Sequence, residues 1–140
     1  MEMDRNGLEV LDHQECLRLL SQATVGRIAW TMGALPRVLP VNFSLDGDRI
    51  LVRTGRGSKL DAAARDAMVA FEVDDFDPLY HSGWSVVVTG AAYELSDPGD
   101  LERARRAPVP RWAPLGDETI IAIPTEQMSG RRISRHAGSD

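Results

Sequence analysis

Arg37-Val38-Leu39-Pro40-Val41-Asn42-Phe43-Ser44-Leu45-Asp46-Gly47-Asp48-Arg49-Ile50-Leu51-Val52-Arg53-Thr54-Gly55-Arg56-Gly57-Ser58-Lys59 holds two apolar runs joined by Asp-Gly and closed by a basic, glycine-rich turn. Asp-Gly between apolar runs signals a two-residue hairpin, because both central positions then accept positive φ. Arg37–Leu45 and Arg49–Thr54 therefore read as paired antiparallel strands. Pro40 has no N–H to give a central ladder, so it marks either an edge strand or a strand whose backbone serves something other than pairing. Gly55-Arg56-Gly57 is a bend, and Ser58 is placed to cap a short alanine-rich helix over Lys59–Arg65.

The same rhythm extends in both directions. Upstream, Val25–Thr31 reads as a strand closed by a turn at Met32-Gly33-Ala34. Before it, Asp12 caps a short amphipathic helix that ends near Gln22, with Glu15 in the capping-box position and Leu11 and Cys16 placed as a hydrophobic staple. Downstream, Ala67–Val73 reads as a strand, Asp74–Ser82 as an acidic loop, and Trp84–Leu95 as one long strand with Gly90 at a bulge or close approach. Ser96 or Asp97 caps a helix to about Arg106. Ala107–Gly116 is a Pro-rich connection, and Glu118–Ile123 and Met128–Ile133 complete the strands. Consecutive hairpins with two or three short helices predict a mainly β, Greek-key-like antiparallel barrel with helices at its rim. Recurring βαβ crossovers are missing, which argues against a parallel nucleotide-binding sheet. A single domain over 1–140 is expected, with 1–10 and 134–140 flexible.

Composition narrows the function classes. Net charge is −5, which disfavours nucleic acid as a partner. One cysteine, Cys16, excludes an internal disulfide and a cysteine-based zinc site. Three scattered histidines do not make a metal site, and Asp74, Asp75 and Asp77 lack the calcium-loop pattern. No apolar run reaches the roughly 18 residues of a membrane helix. The opening residues lack a secretory pattern, so a cytoplasmic location is expected. Fifteen arginines stand beside a single lysine, Lys59, which draws attention to the turn that carries it.

Three segments carry candidate chemistry. Arg53, Thr54, Ser58 and Lys59 supply charge and hydroxyls around two glycines at a helix start, a combination that suits a phosphate monoester and equally a solvated strand-to-helix turn. The spacing is not that of a P-loop. Arg37, Val38, Leu39, Pro40, Val41 and Asn42 form either an edge strand or a backbone edge along which a flat heteroaromatic ring can lie. Trp84 and Ser85 open the strand of Ser82-Gly83-Trp84-Ser85-Val86-Val87-Val88-Thr89-Gly90, where Trp84 suits a core, an interface or a cofactor wall.

The order of Arg-Val-Leu-Pro-Val-Asn, Arg-Thr-Gly-Arg-Gly-Ser-Lys, Val-Ala-Phe-Glu-Val-Asp and Ser-Gly-Trp-Ser-Val-Val-Val-Thr-Gly resembles the pyridoxamine 5′-phosphate oxidase-like family, and more closely its small nitroimidazole-resistance-type branch. The resemblance runs from about Leu11 to Ile133. It implies a split β-barrel homodimer with two FMN sites at the subunit interface. Arg37–Asn42 would then line the isoalloxazine edge through the backbone. Arg53, Thr54, Ser58 and Lys59 would hold the phosphate, and Trp84 and Ser85 would approach from the partner subunit. Trp112 is a further candidate trans residue, and Arg56 can point either way. Arg131 and Arg132 suit an anion or a strand end. The substrate-binding arginine–histidine motif of true pyridoxamine-phosphate oxidases is missing, since Arg135 and His136 lie in the expected flexible tail. The implied activity is hydride transfer between flavin and a small conjugated substrate, with no obligatory acid or base among the side chains. The deazaflavin F420 is the alternative cofactor, and a non-catalytic flavin carrier or sensor is the alternative function.

Overall fold

The structure, a computed structural model, describes residues 2–58, 60–61, 67–106 and 118–133. Strand β1 (Glu9–Leu11) is followed by helix α1 (His13–Ser21), whose N-cap Asp12 accepts a hydrogen bond from the Glu15 N–H at 2.8 Å. Strands β2 (Val25–Met32), β3 (Leu35–Asp46), β4 (Arg49–Gly55), β5 (Met68–Asp77), β6 (Ser82–Ala91) and β7 (Tyr93–Glu94) come next. Helix α2 (Pro98–Arg106), β8 (Glu118–Pro124) and β9 (Gln127–Ile133) complete the elements. The strands form one antiparallel sheet in the order β1-β9-β6-β5-β2-β3-β4-β8-β7. It curls into a split barrel.

Three sequence expectations shift at their edges. The strand expected to stop at Val73 continues as β5 to Asp77, because Asp74–Asp77 pair with β6 down to Ser82. The acidic residues are thus strand residues whose side chains alternate between faces. The single strand expected over Trp84–Leu95 is two: β6 leaves β5 at Ala91, and Tyr93–Glu94 pair with β8 instead. The opening segment, expected to be flexible over 1–10, is held in part. Glu9–Leu11 pair with β9, and Asp4 accepts from Arg131 Nε at 2.9 Å. Of the helix expected over Lys59–Arg65, only Leu60 and Asp61 lie among the described residues, and both are helical.

Burial follows strand alternation. Ile28, Phe43, Ile50, Val52, Phe71, Val86, Val88, Ile121 and Ile123 point inward and are buried, with Phe43 and Phe71 meeting edge-to-face at a centroid distance of 4.9 Å. Cys16, Leu19 and Leu20 of α1 plug one end of this interior. A second, smaller cluster lies on the opposite face of the sheet, where α2 buries Ala104 against Leu51, Ile120 and Ala122. The barrel closes where Gly90 of β6 meets Pro124 of β8, so tightly that an added Cβ would lie 3.0 Å from the Pro124 carbonyl oxygen. Among the described residues no helix is long and apolar enough to cross a membrane.

Two contacts fasten α1 to the sheet. A Cβ on Gly130 would sit 2.5 Å from Cys16 Sγ, so only glycine lets α1 approach β9 this closely. Gly130→Ala is expected to destabilise the protein by about 1–3 kcal/mol in urea unfolding, the usual cost of overpacking. Beside it, Glu15 accepts from Arg18 and from Arg132 of β9, the latter at 2.6 Å. These two guanidiniums, Arg18 first, lower the Glu15 pKa to about 2. A depressed carboxyl pKa adds stability above the unfolded value near 4.5, and that stability is lost as pH falls toward 2. Glu15→Gln should therefore melt below the parent at neutral pH, with the gap closing as thermal melts are repeated through that acid range.

Candidate functional site

The site begins where two strands part. Phe43 pairs with Val52, but upstream of Phe43 strand β3 pairs only with β2, and downstream of Val52 strand β4 pairs with β8. Beyond that pair no rung joins Arg37–Asn42 of β3 to Arg53–Gly55 of β4, and the space between these two segments is the groove. The Phe43 N–H donates to Thr24 O at 3.0 Å, which sets the phase of the ladder. Alternation then turns the backbone groups of residues 35, 37, 39, 41 and 43 toward β2, and those of 36, 38, 40 and 42 toward the groove. Both prolines fall in the second set, so Pro36 and Pro40 cost the β2 ladder nothing. The groove wall presents the Val38 N–H and the carbonyls of Pro36, Val38 and Pro40. Leu39 lies opposite buried Ile28 on the inward face, yet it is 41 % exposed, because no strand among the described residues covers it there. The result is an exposed apolar strip beside the backbone donors and acceptors of β3.

The basic turn closes one end of the groove. The Ser58 N–H donates to Gly55 O at 3.0 Å, and Gly57 sits at φ +77°, a conformation that glycine adopts without strain. The Ser58 hydroxyl lies 2.8 Å from the Thr54 hydroxyl and accepts from the Asp61 N–H at 3.1 Å. The buried Asp61 carboxylate reaches back to the Gly57 N–H at 2.8 Å. This reciprocal capping box holds the turn in shape. Thr54 and Ser58 are thus brought together. Arg53 is turned the other way, because adjacent strand residues face opposite sides: its guanidinium donates to Ala104 O near the C-terminus of α2 at 2.5 Å. Arg56 lines a small cleft with Arg105, Glu94, Glu118 and Thr119. Lys59 lies outside the described residues, as do Trp112, Arg135 and His136.

Sequence reading missed one hydroxyl. Thr119 of β8 is the cross-strand partner of Thr54, only 3 % exposed, and its Oγ1 has no hydrogen-bond partner among the described residues. The Trp30 indole N–H, opposite Arg37 across the β2–β3 ladder, is buried and likewise has no partner among the described residues. Buried polar atoms without partners are uncommon and mark places where another group belongs. No linear motif exposes Thr119, since its distance in sequence from Thr54 is bridged only by the β4–β8 register.

Trp84 and Ser85 take opposite faces of β6. Trp84 packs on the main core and lines a cleft of about 330 Å³ with Asp75, Asp77 and Arg132. Ser85 faces outward between Asp74 of β5 and Arg131 of β9. Their side chains therefore do not converge on one point within a protomer. Arg131 and Arg132 tie strand β9 to Asp4, Glu9 and Glu15. Among the described residues no cluster of His, Cys, Asp and Glu could hold a metal ion. Thr119→Val replaces the unpartnered hydroxyl with a methyl group of the same shape. It should raise the urea midpoint of the ligand-free protein, because a buried unsatisfied group is removed, and weaken the binding of any phosphate-bearing ligand in the turn.

Comparison with known proteins places this geometry. A family model described as pyridoxamine 5′-phosphate oxidase matches residues 12–132. An uncharacterised protein of Mycobacterium tuberculosis is 41 % identical over 128 residues, covering 88 % of this chain and 84 % of the relative. The structure of an FAD-binding protein from Mycobacterium smegmatis superposes with a TM-score of 0.82 at 34 % identity, covering 91 % of this chain and 100 % of that one. A candidate 5-nitroimidazole antibiotic resistance protein from Bacteroides thetaiotaomicron shares the fold, with a TM-score of 0.74 at 17 % identity over 89 % of this chain and 87 % of its own.

Proposed function

The chain belongs to the pyridoxamine 5′-phosphate oxidase family, and from that membership we propose that it is a flavin-binding homodimer with oxidoreductase activity on a small conjugated substrate. The observation that carries the reading is the groove between β3 and β4, with the Thr54–Ser58 hydroxyl pair at its end. Its dimensions of chemistry suit a flavin mononucleotide: a flat apolar strip, backbone donors and acceptors along one edge, and hydroxyls on a capped glycine turn. Thr119, the cross-strand partner of Thr54, puts a further hydroxyl on the same face of the sheet.

In this reading a bound flavin supplies hydride chemistry, and the protein supplies position and electrostatics. The Val38 N–H and the carbonyls of Pro36, Val38 and Pro40 orient the polar edge of the ring. Thr54, Ser58 and Lys59 hold the phosphate, while Asp61 keeps the turn in register through Gly57. Arg53 steadies the turn from behind by fixing β4 to α2. Ser85, facing outward, is the residue of the Trp84–Ser85 pair suited to reach a partner's site, and Trp84 supports β6 from within. FMN is the first ligand to test. FAD is the second, because the related Mycobacterium smegmatis protein is described as FAD-binding.

Titration of purified apoprotein with FMN, FAD and F420, followed by flavin fluorescence, checks the reading. Saturable micromolar binding of FMN or FAD is expected, and binding of F420 alone would overturn it. Ser58→Ala combined with Lys59→Ala should weaken FMN by about 2–4 kcal/mol through lost charge-assisted hydrogen bonds, and should leave riboflavin, which has no phosphate, nearly unchanged.

A further inference from the structure

The outward face of β2, β3, β5 and β6 mixes exposed apolar side chains with small polar ones, and neither helix among the described residues buries a side chain against it. Val25, Val38, Met68 and Val87 are exposed there by 51, 65, 61 and 37 %. The corresponding face of β4 and β8 is covered by α2. Near the middle of the open face sits a group of three charges. Arg27 of β2 stands directly across from Glu72 of β5, and Asp74 follows two residues on, so all three side chains share this face. Arg27 Nη1 lies 3.7 Å from Glu72 Oε1 and 3.7 Å from Asp74 Oδ2. The surroundings are otherwise uncharged: Ala29 on β2, Ala70 on β5, and Val87 and Ser85 on β6. The next charged group is Arg131, beyond Ser85 on β9, and it is paired with Asp4.

We propose that two copies of the chain join through this face about a two-fold axis, and that joining takes up a proton at each Glu72. The proposal rests on the homodimer reading above and adds to it the surface and its control. A two-fold contact is self-complementary, so Arg27 of one copy can serve the carboxyls of the other. The charges do not balance, however, because each copy brings two carboxyls and one guanidinium. Two copies thus carry an excess of two negative charges into an apolar contact, and burying unpaired charge is costly. One proton on each Glu72 brings the patch to neutrality. That proton is within reach at ordinary pH: partial burial, then the hydrogen bond and charge of Asp74, raise the Glu72 pKa to about 7, against the opposing pull of Arg27. The dimer then binds more protons than two separate copies, so association strengthens as pH falls through neutrality.

Sedimentation equilibrium of the parent, Glu72→Gln and Asp74→Asn tests this. The parent dimer should tighten by on the order of tenfold between about pH 8 and about pH 6. Glu72→Gln, which mimics the protonated carboxyl, should hold the tight acid value at both pH values, and Asp74→Asn should flatten the dependence in the same direction. Glu102→Gln, on α2 away from this face, should keep the parent's dependence. A dimer whose affinity does not change with pH, or a Glu72→Gln dimer that keeps the parent's slope, overturns the proton linkage and leaves the homodimer reading standing. A monomer at every pH overturns both.

Discussion

The parting of β3 from β4 beyond the Phe43–Val52 pair is the constraint on which the rest of the site depends. Upstream of it β3 has one neighbour where an interior strand would have two, and a row of backbone groups is left facing a groove. A sheet normally hides such an edge, because unpaired backbone recruits other chains. Here Pro36 and Pro40 stand at the positions that point away from β2, which removes two donors from the edge without weakening the β2–β3 ladder. The exposed strip is thereby reduced to a few specific donors and acceptors beside an uncovered apolar surface. Such an edge has few free donors with which to recruit another strand.

The same alternation that builds the groove sorts the basic turn. Thr54 faces the groove side with Ser58, while Arg53 goes to the Ala104 carbonyl under α2. The helix is therefore part of the site's support. Its second hold on the sheet is the network in which Asp46 and Asp100 accept from Arg49 and Arg103. Displacing α2 would release Arg53 and the strand that presents Thr54. On the opposite wall of the barrel, alternation exposes Arg27, Glu72 and Asp74 on a face that α2 does not reach. Among the described residues, α2 thus covers one part of the outer surface and leaves this face uncovered.

Much of this was legible locally. Asp46-Gly47 marked the β3–β4 hairpin, and Gly47 does adopt φ +62°. Asp12 and Glu15 marked the start of α1, and Gly90 marked a close approach, which proves to be with Pro124. The ordered motifs Arg37–Asn42, Arg53–Lys59 and Ser82–Gly90 marked the family. What was not legible depended on register. The extension of β5 through Asp74–Asp77 runs against the preference of aspartate for loops, and is held by pairing with a distant strand. Thr119 carries no signal of its own, and becomes notable only because β8 sets it opposite Thr54.

By itself the chain's sequence determined the antiparallel strand pattern, the turn and cap positions, and the concentration of hydroxyls, glycines and a lone lysine between Thr54 and Lys59. These are properties of neighbouring residues, set by backbone conformational preference and by a period of two along each strand. Tertiary structure alone decided which of those residues face one another. It sent Arg53 to α2, set Trp84 on the core-facing side of β6 and Ser85 on the outer side, brought Thr119 beside Thr54, and set Arg27 against Glu72 and Asp74. The physical reason is that a side chain's face follows from strand phase, and its company follows from the register between strands far apart in sequence, which local preference does not encode.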